Sequence, residues 1–162
     1  MLDQIDVQIS SLLKRVNGEV FAYPEGRRNS LLVDTLEVLA PYRAPDSLLL
    51  YVEDKGNHLY VYEHDYLTQL GTPCAFGDLL ADVVLYQPQQ NTLYFLYAVS
   101  QFGPLLERRR DETERLLARC SAQRVYVSVM YNRFDYATFA PHIVWGTHVW
   151  LSELPEHSIH HA

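Results

Sequence analysis

Apolar residues recur at helical spacing over residues 2–16, where Ile5, Ile9, Leu12, Leu13 and Val16 share one side and Asn17-Gly18 supplies a stop. A second helix is expected from Asn29, a good N-cap, with Leu31, Leu32, Leu36 and Leu39 on its buried face and Pro41 and Pro45 ending it. The pattern then changes to period two. Segments 47–53 and 58–63 flank the turn sequence Asp54-Lys55-Gly56-Asn57 and predict a β-hairpin. Residues 64–70 predict a short helix closed by Gly71. Segments 81–86 and 92–100, apolar, β-branched and aromatic, predict a second hairpin in the middle of a sheet. Pro104 suits the first turn of a helix running to about residue 120, with Arg108–Glu112, Arg110–Glu114 and Asp111–Arg115 as surface pairs. Residues 124–130 predict a strand, 134–139 a short helix and 144–151 a final strand.

Strands and helices mix without strict alternation, so the class is α/β (α+β), a mixed central sheet flanked by helices. No repeat, linker or low-complexity segment interrupts the pattern. We therefore expect an N-terminal helix over 1–17 and one domain over 18–162. Its 162 residues can bury a proper core. Apolar residues at 48% against 20% charged exclude a disordered chain. No apolar run approaches the roughly eighteen residues of a membrane span, and the N-terminus lacks a basic segment followed by an apolar one. A soluble, cytoplasmic protein without membrane contact is the expectation. Cys74 and Cys120 stand outside any metal-ligand spacing and read as buried thiols.

The net charge of −7 bears on partners. Nucleic-acid binding draws much of its affinity from neutralised phosphates, so the few cations would have to share one surface. Only Lys14 and Lys55 among the 13 are lysines. DNA remains a possible partner, and a protein partner fits the charge better.

Two stretches carry a family resemblance. One contains Asp82-Val83-Val84-Leu85-Tyr86, Asn91, Ala98-Val99 and Gly103-Pro104. The other contains Val125-Tyr126-Val127-Ser128, Arg133, Thr138-Phe139, Ile143, Trp145, Val149-Trp150 and Pro155-Glu156-His157-Ser158-Ile159-His160. In this order they resemble the C-terminal nuclease domain of BsuBI/PstI-type restriction endonucleases. Weaker similarity at Gly26-Arg27-Arg28-Asn29 and at Leu50-Tyr51-Val52 with Asp54 extends the resemblance over about residues 24–161. It implies a restriction-endonuclease-like core of the PD-(D/E)xK kind. The segment 2–16 stands outside it, where the family carries a separate region responsible for much of its specificity, so independent site recognition is not expected.

Such enzymes hydrolyse a phosphodiester with water activated by Mg²⁺, which clustered carboxylates must hold. The resemblance places Asp82 at the first carboxylate position. The second, a glutamate on the neighbouring strand, falls on Tyr97, and the lysine position two residues on falls on Val99. The acidic position of the early helix falls on Ser30, and two later glutamates fall on Gly146 and His148. A phenol with a pKa near 10 cannot replace a carboxylate at neutral pH. The implied catalytic set is thus reduced to Asp82, the one residual metal ligand, with Ser30, Tyr97 and Val99 degenerate. Asp78 and Glu37 are the carboxylates that could restore it.

Arg108, Arg109 and Arg110, with Arg27 and Arg28, are the candidate nucleic-acid contacts. The plainer alternative for Arg108 to Arg110 is a solvated helix face. His157, His160 and His161 offer no complete zinc set and read as the end of a strand. Twelve tyrosines are many for this length. Tyr60 and Tyr62 are expected on one sheet face, with Tyr86 and Tyr94 behaving likewise, as half-buried sheet aromatics or as a docking or base-stacking surface. The expected function is non-catalytic: a protein- or nucleic-acid-binding or assembly subunit in a prokaryotic DNA-processing or defence system. It would pair with itself or with a competent partner and need no cofactor. The rival is a Mg²⁺-dependent endonuclease with relocated ligands, and a third reading is a stand-alone DNA binder with a basic groove.

Overall fold

A computed structural model of the protein describes residues 13–21, 30–54, 58–72, 81–99, 105 and 107–162. Among them, eight strands form one mixed sheet: β1 Lys14–Arg15, β2 Leu48–Asp54, β3 His58–Tyr62, β4 Val83–Gln87, β5 Thr92–Ala98, β6 Gln123–Met130, β7 Thr147–Leu151 and β8 Leu154–His161. The order is β1-β2-β4-β5-β6-β7-β8, with β3 also paired to β2. Strands β5, β6 and β7 run parallel, while β4 is antiparallel to both β2 and β5, and β8 is antiparallel to β7.

The helical elements are α1 Ser30–Asp34, a π-helical turn Thr35–Leu39, α2 Ala40–Arg43, α3 His64–Gln69, α4 Glu107–Leu116 and α5 Arg133–Phe139. Alternate residues of β4 serve opposite faces. Val83 and Leu85 pack with Leu31, Leu36 and Leu39 of the first helical segment. Val84 and Tyr86 pack with Leu67, Leu105 and Leu117. Both faces are covered, which is why the central strands read as unbroken apolar runs.

Four expectations need correction. Lys14 and Arg15 are not helical but form β1, parallel to β2; residues 1–12 lie outside the described ones. Pro41 does not end the early helix. The π turn directs the Ala40 N–H to Thr35 O, five residues back, and Pro41, with no N–H to place, begins a further turn that ends at Arg43. The strand expected over 144–151 begins at Thr147 and is not the last. The polar segment after it makes β8, an edge strand, where Pro155 is tolerated. Tyr60 and Tyr62 do not share a face, and neither do Tyr86 and Tyr94. Tyr60 and Tyr94 pack on the α1 side, and Tyr62 and Tyr86 on the other.

Candidate functional site

Because β4 is antiparallel to its neighbours, its start lies at the same sheet edge as the ends of β2 and β5. Asp82 precedes β4 there and is only 8% exposed. Its N–H donates to Leu96 O at 3.0 Å, and its C=O accepts the Glu53 N–H at 2.8 Å. Its carboxylate Oδ2 accepts the Ala98 N–H at 2.7 Å. That oxygen therefore works as a hook on the β5 backbone, satisfying a buried amide as the end of the β4–β5 ladder is reached.

Tyr97, 4% exposed, lies beside Ser128 in register and packs in the cluster that contains Leu105, Leu117 and Tyr126. Burial pushes its phenol well above the ordinary tyrosine range; Thr113 and the Arg109 cation oppose this, and the Asp82 charge adds to it. Its hydroxyl borders Thr113, which donates its own hydrogen to Arg109 O at 2.8 Å, and finds no well-aligned hydrogen-bond partner among the described residues. Val99 is buried with Met130, Ile143, Val149 and Leu151, an environment hostile to the ammonium of a lysine. Ser30 opens α1 and pairs its Oγ with Tyr131 Oη at 2.6 Å, beyond the end of β6 and two strands from Asp82. The degenerate positions thus converge on one sheet edge without rebuilding a carboxylate cluster.

Glu53 is the acidic residue the sequence reading passed over. It stands next to the last residue of β2, beside Asp82, and Tyr51 donates its hydroxyl to Glu53 Oε2. Burial first, then the hydrogen bond and charge of Glu53, with smaller contributions from Tyr62 and Asp82, raise the Tyr51 pKa far out of reach, so the phenol stays a donor. The available signal was positional: Glu53 immediately precedes the hairpin turn at Asp54. Glu37 lies on the π turn over the opposite face from Tyr97, and Asp78 lies outside the described residues. Among the described residues no three His, Cys, Asp or Glu side chains could share a metal ion. One Asp82 oxygen is engaged by a backbone amide and one Glu53 oxygen by a phenol, so both carboxylates serve to hold the sheet, and no third one joins them among the described residues.

The three arginines of α4 point apart. Arg108, 88% exposed, pairs with Glu112 at 2.9 Å, as expected. Arg109 is exposed, and its charge is felt at the Tyr97 phenol. Arg110 donates to Trp145 O at 2.8 Å and lies against Asp111 and Glu107, not Glu114. Glu114 instead accepts the Tyr126 hydroxyl at 2.9 Å, and Asp111 is taken by Arg110 rather than Arg115. The candidate contacts Arg27 and Arg28, like Cys74, lie outside the described residues. Cys120 is a buried thiol. No described helix is long and apolar enough to cross a membrane.

The family model described as "BsuBI/PstI restriction endonuclease domain" matches residues 12–162. The chain belongs to this family. It is 30% identical over 158 residues to the type II restriction enzyme BsuBI of Bacillus subtilis, covering 98% of this chain and 48% of that protein. It is 28% identical over 79 residues to the type II restriction enzyme AplI of Arthrospira platensis, covering 49% of this chain and 24% of that protein. The structure of SdaI restriction endonuclease superimposes with a TM-score of 0.79 at 25% identity, covering 96% of this chain and 50% of that one. This BsuBI/PstI-family chain spans about half the length of BsuBI.

Proposed function

We propose that this domain binds or assembles and does not cleave: a restriction-endonuclease-like subunit of a prokaryotic DNA-processing or defence system. The observation that carries the reading is Tyr97. A buried, protonated phenol fills the place where the resemblance puts the second metal carboxylate. Asp82, the carboxylate that remains, spends one oxygen on the Ala98 amide. A protein partner, or a second copy of the chain, suits the net charge of −7 better than a long stretch of DNA phosphates. DNA contact, which the names of the relatives suggest, would fall to Arg109 and to the exposed Arg108, with Arg27 and Arg28 as further candidates.

The test is nicking of supercoiled plasmid with Mg²⁺ or Mn²⁺ by the wild type and by Asp82→Ala. Cleavage by neither is the expected result. Cleavage by the wild type that disappears in Asp82→Ala would overturn the proposal. One observation favours a second reading, a Mg²⁺-dependent endonuclease with a relocated ligand: Glu53 adjoins Asp82 through a 2.8 Å backbone hydrogen bond. That reading requires Glu53→Gln to abolish cleavage along with Asp82→Ala.

A further inference from the structure

Strand β8 pairs with β7 alone and forms one margin of the sheet, and its last residue, His161, also meets the Tyr136 hydroxyl of α5 through Nε2 at 2.8 Å. His148 of β7 and His160 of β8 are register partners. Their rings stack almost parallel, centroids 4.3 Å apart and planes 8° apart. His148 is half-buried and His160 exposed. From α2, Arg43 reaches over this face and donates to Glu156 O of β8 at 3.3 Å. Trp150 and Tyr94 pack against each other on the same side of the sheet, ring centroids 6.2 Å apart. Ser158 Oγ lies 3.5 Å from His148 Nδ1. The polar groups around the pair are thus Arg43 from α2, Tyr94 from β5, and Ser158 and Glu156 from β8. The Glu156 carbonyl is engaged with Arg43, and its side chain is exposed. Among the described residues neither imidazole has a carboxylate within 4 Å to balance a positive charge.

Two neutral imidazoles stack without penalty. Two imidazolium rings at this separation repel, and a fixed guanidinium alongside opposes even the first proton. We propose that the His148–His160 stack is an acid-sensitive latch for β8: neutral, it holds the edge strand against β7, and protonated, it lets the strand loosen. The Arg43–Glu156 bond ties the same strand to α2, so the charge that resists protonation sits on one of its other tethers. Burial, then His160, then Arg43 lower the His148 pKa from the ordinary 6.5. A depressed histidine pKa means that the loosened state binds the proton more readily. Attachment is therefore complete above about pH 6.5 and weakens as the pH falls below it. Release would bare the backbone donors and acceptors of β7 for pairing with another strand.

The test is amide exchange read by mass spectrometry at pH 7.5 and 5.5, corrected for intrinsic rates, with the β4–β5 hairpin as internal reference. The β8 amides should lose protection several-fold at pH 5.5 relative to the hairpin. His148→Gln should show the same β8 protection at both pH values, and Arg43→Gln should shrink the acid effect. Equal β8 protection of the wild type at the two pH values would overturn the latch, and so would an undiminished loss in His148→Gln. Should His148→Gln fail to fold, the wild-type histidine titration by NMR decides. His148 must titrate below the ordinary histidine value of 6.5, and a value at or above it would overturn the proposal.

Discussion

Tyr97 and Val99 at the end of β5, and Gly146 and His148 at the start of β7, all stand where the family resemblance places ionisable groups. The central pair has become part of the core. Tyr97 packs among aromatic and aliphatic side chains beneath α4, and Val99 among Met130, Val149 and Leu151. The peripheral pair stayed out of the core. Gly146 turns the chain at φ +79°, with nothing within 4 Å of where a Cβ would stand, and His148 meets a second histidine. The difference follows from burial. Between two covered faces an unpaired ion is costly to desolvate, so a lost carboxylate is replaced by something that packs. Near the sheet margin, water and an exposed neighbour leave room for a titratable group.

The largest test of this contrast is truncation of the central residue. Tyr97→Ala should remove a buried ring and cost about 3–5 kcal/mol, read as a lower urea midpoint. A loss below about 1 kcal/mol would mean that the phenol is not part of the core. Asp82→Ala comes next. It strips the acceptor from the buried Ala98 amide and should cost about 1–3 kcal/mol. Asp82→Asn keeps an acceptor oxygen and should recover most of that. An equal loss in both variants would indicate that the charge itself, not the hydrogen bond, holds the strand.

At the periphery the effect should depend on pH. Because His148 is depressed in the fold, wild-type stability is full above about pH 6.5 and falls below it, by at most about 1.4 kcal/mol per unit for the proton concerned. Urea unfolding at pH 7.5 and 5.5 should give a smaller difference for His148→Gln than for the wild type. Tyr97→Phe, by contrast, should show no pH-dependent change relative to the wild type in this range, since the Tyr97 phenol is pushed well above it.

The central strands were legible because covered sheets demand apolar runs, and the hairpin flanking Pro88–Gln90 was marked by its turn residues. Strand β8 was legible only at its end, where His157, His160 and His161 read as the close of a strand; its start at Leu154 and its pairing come from β7, through tertiary contact that no local pattern announces. The continuation of the early helix past Pro41 escaped for a similar reason, since a π turn shows only in its hydrogen bonds. At the site, family order placed Asp82, Tyr97 and Val99 on neighbouring strands. It could not reveal that Asp82 would bind Ala98, that the Arg109 charge would act on Tyr97, or that Glu53 would adjoin Asp82. Each of these depends on register between strands far apart in sequence.

The smallest expected effect separates α4 from both regions. Arg108 and Glu112 form an exposed pair one helical turn apart, so Glu112→Gln should cost no more than about 0.5 kcal/mol and become neutral in high salt. Freed from Glu112, Arg108 would gain availability to phosphate. The same variant should therefore bind a short DNA duplex more tightly than the wild type at low salt if the arginines of α4 face nucleic acid. A fluorescence anisotropy titration that finds no binding in either form, with stability unchanged, would leave α4 as a solvated cover for Tyr97. The contrast would then rest on the sheet alone: a core position that lost its ion by packing, and a position near the margin that kept a titratable group by staying near water.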